Sequence, residues 1–284
     1  MKRVYLDWAA TAIPDAEALT AALNDSLDSY ANPASAHESG KKTRDSYEEG
    51  RALLAGALGC GPEELIATSG GTESNAIALL GLLLNRAKGG TVLVSAIEHD
   101  SVYRQALVLE DFGYRVKLVR PEASGLVSER SLLDALTDDT VFVGIMAVNN
   151  ETGAIQPVST LTEALAREKC RAHVHVDAVQ AFGKFPITLQ GIHSLSASAH
   201  KIGGPKGFGF LYRAKTAKLE SLMQGGGQER GLRSGTQNLF GMRGFALALK
   251  NRDRDANLAR AQNLCSLFVE GIKNISGAVL LPED

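Results

Sequence analysis

Lys201 sits in SLSASAHKIGGPKGFGFLY, after an apolar strand-like run, beside His200 and ahead of a glycine-rich turn. An amine delivered to such a strand-end crevice loses hydration, and a desolvated amine held near cationic or phosphate groups is a Schiff-base former. Taken singly, a lysine is usually a solvated surface charge. Upstream, HVHVDAVQAFGK ends an apolar strand on Asp177 and brings Gln180 one turn later. A carboxylate in that place caps a helix or, turned toward a ligand, holds a pyridinium nitrogen protonated and maintains an electron sink. A third stretch, ATSGGTESNAIAL, closes a strand, turns on Gly70 and Gly71 and opens a helix with Thr72 and Glu73. Free N–H groups and the positive end of the helix dipole make a phosphate seat there, although the same residues serve equally as a plain N-cap. Their spacing is that of neither the nucleotide P-loop nor the dinucleotide glycine fingerprint, which disfavours a nucleotide-binding α/β protein.

Three such stretches act together only if a scaffold brings them to one edge. β-rich runs at 65–69, 91–95, 114–119, 140–148, 173–176, 194–198 and 208–212 alternate with helix-period segments at 38–58, 73–86, 101–112, 128–136 and 158–170, with a long helix within 239–274. That order predicts an α/β protein. Near-continuous apolarity in TVLVS and VFVGIMAV suits strands of a mostly parallel sheet with helices on both faces. The glycines gather at strand ends (Gly70, Gly71, Gly203, Gly204, Gly207, Gly209, and the run Gly225 to Gly227), where ligands of open α/β sheets bind. Toward the C-terminus the polar-faced helix NRDRDANLARAQNLCSLFVEGI precedes the strand-like AVLLP and reads as the entrance to another unit. The expected division is a large ligand-binding domain over 1–250, its residues 1–12 packing with the smaller unit, and the start of a small C-terminal domain over 251–284.

Composition narrows the partners. A chain of 284 residues, 44% hydrophobic and 22% charged, supports a large core and argues against general disorder. The net charge of -2 and the absence of long like-charge runs leave no footprint for nucleic acid or an anionic membrane, so a small molecule is the expected partner. Without a long apolar stretch or a secretory signal pattern, the expected compartment is the cytoplasm. Cys60, Cys170 and Cys265 are few, odd in number and far apart, against a disulfide framework or a zinc cluster, and no metal is expected. The NLCSLF setting of Cys265 reads as helix core.

In order along the chain stand YLDWAATA, NPASAHESGKKTRDSYEEGR, ATSGGTESNAIAL, EHDSV, VNNETGAIQP, HVDAVQA, SASAHKIGGPKGFGFLY and GGGQERGLRSGTQN. The string resembles the cysteine desulfurases of the class V aminotransferase group, and GGGQERGLRSGT with NNETGAIQP resembles their NifS/IscS branch rather than the SufS branch. This resemblance implies the type I fold of pyridoxal 5′-phosphate (PLP) enzymes, with Lys201 carrying the cofactor as a Schiff base and moving the substrate α-proton. It further implies that Asp177 pairs the pyridine nitrogen, Gln180 contacts the ring hydroxyl, and His99 stacks over the ring and assists proton transfer. Gly71, Thr72, Ser198 and His200 would hold the phosphate, Asn150 would lie beside ring and substrate, and Thr236 would reach the phosphate of a neighbouring subunit's site in a homodimer. The implied reaction converts L-cysteine to L-alanine, the sulfur passing through an enzyme thiolate to an acceptor or an iron–sulfur scaffold protein.

Two positions depart locally from the family pattern: Trp8 stands where it commonly has Asn, and Gly71 where it commonly has Ala. A third departure is larger. The family carries its nucleophilic cysteine and its carboxylate-gripping arginine in a C-terminal domain, beyond the last residue of this sequence, which leads us to expect PLP binding with little desulfurase turnover. Two rivals stay in view: a PLP aminotransferase or lyase of the same fold, using Lys201 and Asp177 without a thiol, and a non-catalytic PLP-fold protein kept for interaction.

Overall fold

The computed structural model describes residues 4–83 and 89–280. Helix α1 (Ala16–Asp28) is N-capped by Asp15, whose Oδ1 accepts from the Ala18 N–H at 2.9 Å. Helix α2 (Glu38–Leu58) starts at His37 and stops at Gly59, which takes the left-handed conformation (φ 79°) and returns its N–H to Ala55. Then come β1 (Leu65–Thr68), α3 (Gly71–Leu83), β2 (Thr91–Ser95), α4 (Asp100–Val108), β3 (Arg115–Val119), α5 (Glu129–Ala135), β4 (Thr140–Met146) and α6 (Val158–Arg167). The remaining elements are β5 (His173–Asp177), β6 (Ser194–Ser198), β7 (Gly209–Arg213), α7 (Leu239–Lys250) and α8 (Arg254–Lys273).

The strands form one sheet in the order β1-β7-β6-β5-β4-β2-β3, with β7 antiparallel to both its neighbours and the other pairings parallel. Consequently β1, β2, β4, β5 and β6 all end at one edge of the sheet. From β2 the chain moves outward to β3, whereas from β4 it moves the other way to β5 and β6, so a crevice opens where β2 and β4 end. Alternate residues along each strand face opposite layers. On one face Ile77 and Leu79 of α3 and Val102 of α4 pack with Val92, Val94 and Phe142 of the sheet. Opposite, Tyr47, Leu54, Phe182, Phe210 and Phe245 join α2 and α7 to the sheet, with Phe182 meeting Phe210 edge-on at 4.9 Å, while Leu93, Val143, Leu161 and Leu165 pack under α6. The expected α/β sandwich of layers is thus the observed one.

Several expectations are corrected. Helix α1 has no counterpart among the expected helices, because it buries only Ala18 and Ala22 and leaves Leu23 and Leu27 exposed, a weak apolar stripe. The long helix within 239–274 is two: Asn251 ends α7, and Asp253 restarts the chain as N-cap of α8 by accepting from the Ala256 N–H. Cys265 is exposed rather than core, along with Leu264, Leu267 and Phe268, since α8 has no buried residue. Residues 278–280 form no strand, and the rest of AVLLP, like 84–86 of the helix expected over 73–86, lies outside the described residues.

Candidate active site

Strands β5 and β6 bring the chemistry-bearing side chains to the crevice. Asp177 closes β5 and is 5% exposed. Its Oδ2 accepts from Asn75 Nδ2 at 2.8 Å and its Oδ1 from the Val179 N–H at 2.9 Å. Burial pushes its pKa up, opposed by those two donors and by the nearby His99. Lys201 follows β6 in a 3-10 turn (Ala199–Ile202) that stops at Gly203, whose φ of 89° suits glycine; a Cβ there would meet the Ile13 carbonyl oxygen at 3.1 Å. Its Nζ donates to the carbonyls of Ala9 and Ala10 at 2.7 and 2.9 Å. Burial lowers the Lys201 pKa, with Asp177 and Asp7 opposing, so the amine is more readily neutral than a surface lysine.

Gln180 bridges the same region: Lys184 Nζ donates to its Oε1 at 2.8 Å, and its Nε2 donates to the Ala9 carbonyl at 2.8 Å. Burial, together with Arg252 and Lys201, pushes Lys184 down to about 8. His200 shares a hydrogen bond of 2.9 Å between Nδ1 and Thr11 Oγ1, and burial with three surrounding lysines keeps it below the usual histidine range. Segment 9–12 therefore folds back over the end of the sheet, pinned to Lys201, His200 and Gln180.

His99 caps α4, its Nδ1 accepting from the Ser101 N–H at 3.1 Å. Asn150 is placed by its neighbour Asn149, whose Oδ1 accepts from the N–H groups of Glu151 and Thr152 and whose Nδ2 donates to the Ile97 carbonyl at 3.0 Å, tying the loop after β4 to the loop after β2. Gly71 and Thr72 open α3, whose first-turn N–H groups lack intrahelical acceptors. A Cβ on Gly71 would lie 2.4 Å from Val179 Cγ2, so the β-branched Val179 explains why this chain has glycine there.

Gly71, Thr72, His99, Asn150, Asp177, Gln180, Ser198, His200 and Lys201 all line one cleft of about 170 Å³. Sequence reasoning missed Ser101, Met146, Val148 and Val179, which line it too, and Asn75 behind it. Thr236 is not brought there; it is exposed in the loop before α7. That loop is anchored at Glu229, itself at φ 46°, whose carboxylate accepts from Arg51 Nη1 (2.7 Å) and Nη2 (2.9 Å), the Tyr47 hydroxyl (3.0 Å) and the Ala67 N–H (2.7 Å). Burial alone would raise the Glu229 pKa, but these partners hold it below the usual carboxylate range.

An amine of lowered pKa, a buried carboxylate held by neutral donors, and an open helix N-terminus facing one cleft suit a cofactor with an aldehyde, a ring nitrogen and a phosphate. The site and its sheet define the PLP-dependent class of fold type I. The aminotransferase class-V family model matches residues 4–283. A putative cysteine desulfurase IscS 1 of Bacillus subtilis (strain 168) is 38% identical over 279 residues, spanning 96% of this chain and 73% of that protein. Cysteine desulfurase IscS of Dictyoglomus turgidum is 38% identical over 287 residues, spanning 99% and 72%. Among solved structures, a NifS-like protein superposes with a TM-score of 0.91 at 37% identity, covering 97% of this chain and 77% of that one. SspA in complex with cysteine superposes at 0.83 with 35% identity, covering 87% and 72%. The chain belongs to the class V aminotransferase family, and its cofactor is PLP.

Proposed function

We propose that this protein is a cysteine desulfurase of the NifS/IscS type, taking sulfur from L-cysteine, leaving L-alanine and passing the sulfur to an acceptor or iron–sulfur scaffold protein. The convergence of Lys201, Asp177 and the α3 N-terminus on one cleft carries this reading, together with relatives named cysteine desulfurase at 38% identity. PLP supplies an electron sink for charge developing at the substrate α-carbon. Lys201 holds the cofactor and, once free, takes the α-proton at Nζ. Asp177 keeps the ring nitrogen protonated. Lys184 donates to Oε1 of Gln180 and Nε2 donates to the Ala9 carbonyl, which fixes the amide and leaves its second N–H to donate to the ring hydroxyl or its second lone pair to accept from it. His99 and Asn150 stand on either side of the β2/β4 crevice to orient ring and substrate, while Gly71, Thr72, Ser198 and His200 seat the phosphate.

The protein acts in the cytoplasm as a homodimer in which Thr236 reaches the partner's phosphate site. Residues 1–250 form the PLP-binding domain and 251–284 begin a separate unit. Among the described residues no helix is long and apolar enough to cross a membrane. None of the cysteines lines the cleft. We therefore expect the 284-residue chain to bind PLP yet release sulfide from L-cysteine slowly, and the same observation favours, as a second reading, a PLP aminotransferase or lyase of this fold. Product analysis separates them: alanine and sulfide from L-cysteine in the presence of a thiol support desulfuration, whereas oxo-acid exchange or β-elimination with other amino acids, and no alanine from cysteine, would overturn it.

A further inference from the structure

Behind Asp177 a line of polar side chains crosses the layer between β5 and α3. Asn75 near the start of α3, His175 on β5 and Ser194 at the start of β6 are all 0% exposed. Because strand residues alternate, His175 and Asp177 face the same side, toward α3. Asn75 Nδ2 lies 2.8 Å from Asp177 Oδ2 and 2.9 Å from Ser101 Oγ, and Asn75 Oδ1 lies 2.9 Å from His175 Nε2. His175 Nδ1 is 2.8 Å from Ser194 Oγ, which is 2.7 Å from His173 Nε2, and Ser101 Oγ is 2.8 Å from His99 Nδ1.

One assignment of protons satisfies every contact. Ionised Asp177 offers only lone pairs, so Asn75 turns its NH₂ toward it; an amide flipped the other way would set two acceptors 2.8 Å apart. The second N–H of that amide donates to Ser101 Oγ, whose own proton goes to His99 Nδ1. Since the Ser101 N–H also donates to Nδ1, neutral His99 carries its proton on Nε2. Asn75 Oδ1 then needs a donor, which is His175 Nε2–H. Burial pushes His175 down to about 3, so it is neutral near pH 7 and its Nδ1 accepts from Ser194.

We propose that His175 and Asn75 are positioning residues of this site: the imidazole locks the amide with both N–H groups facing outward, one keeping Asp177 a carboxylate aimed at the cleft, the other fixing the tautomer of His99 through Ser101. The inference rests on the reading of Asp177 as partner of the ring nitrogen. A half-satisfied network in this buried place would leave the amide free to present its oxygen to Asp177.

The test has two arms, both on PLP-loaded protein. In the first, ¹⁵N-histidine NMR reads the His175 tautomer, its signals assigned by their loss in His175→Phe or, failing that, by through-bond correlation. The expected form is neutral, protonated on Nε2 and unchanged between about pH 5 and 8; an Nδ1–H tautomer, or titration in that window, overturns the proposal. In the second, His175→Phe keeps ring volume without the donor, and the pH midpoint of the bound cofactor's visible band moves up by about one unit, because a less firmly protonated ring withdraws less charge from the imine. His175→Gln, which offers an N–H to Asn75 and an oxygen to Ser194, restores most of that shift. An unshifted midpoint in His175→Phe overturns the inference, and if that variant does not fold the tautomer decides. Asp177→Asn is the discriminating control. Unchanged absorption there defeats the assignment of Asp177 itself, whereas a shift there with none in His175→Phe defeats only the inference.

Discussion

Gly71 and Val179 are a matched pair. A methyl group at residue 71 would press on Val179 Cγ2, and valine has little χ1 freedom to move aside. Gly71→Ala should therefore cost about 1–3 kcal/mol by overpacking and weaken PLP retention. Val179→Ala on the same background should recover most of both. Urea unfolding and cofactor titration check this, and a Gly71→Ala protein as stable as the parent contradicts it. His175 makes a second prediction at this scale. Its folded pKa lies far below the unfolded value, so its contribution is present above about pH 6.5 and is lost as pH falls, when the unfolded chain binds a proton that the native one refuses. Between pH 6.5 and 5 the parent should lose about 1–2 kcal/mol more stability than His175→Gln. Parallel stability curves in urea at the two pH values would remove His175 from the acid response.

The elements of the sheet were legible where burial on both faces leaves an apolar run with sharp ends, as in TVLVS, and where small residues alternate with apolar ones, as in SLSAS, and in both the observed bounds match the expected ones. They were least legible where packing is thin. Helix α1 buries two alanines, and the break between α7 and α8 comes from Asp253 acting as a cap with neither glycine nor proline to announce it. Of the site, Asp177 and Lys201 stood out by position, one closing a strand and the other standing ahead of a glycine-rich turn, but it was the family resemblance that set Lys201 apart from a surface charge. Asn75 could not, because one polar residue in the first turns of a helix is ordinarily solvated; only the fold shows it buried against β5. The alternation in HVHVD was the available signal, placing two histidines and an aspartate on one face. The loop before α7 depends on a buried ion pair that lies 178 residues apart in sequence. Arg51→Ala should leave Glu229 buried without its cation and cost about 3–5 kcal/mol, read as a fall in denaturant midpoint. A loss under about 1 kcal/mol would mean that Tyr47 and Ala67 hold the loop alone.

For the whole molecule, the sheet gathers residues from α3, α4, the ends of β4, β5 and β6 and the loops that follow them into one cleft, and Thr236 lies outside it on the surface. A homodimer with shared sites then predicts complementation. Lys201→Ala and Thr236→Ala chains, each impaired alone, should form on mixing some dimers that hold one intact site. Cofactor occupancy and sedimentation of the mixture report it, and a monomer that keeps full PLP occupancy runs against a shared site. The central claim is that Lys201 carries PLP through its side-chain amine. Borohydride reduction of the PLP-loaded protein, followed by peptide mass mapping, tests this most directly: the account predicts a stable pyridoxyl adduct on Lys201 that is absent from Lys201→Ala. An adduct on Lys184 or another lysine, or trapping that persists at the same site in Lys201→Ala, would contradict it.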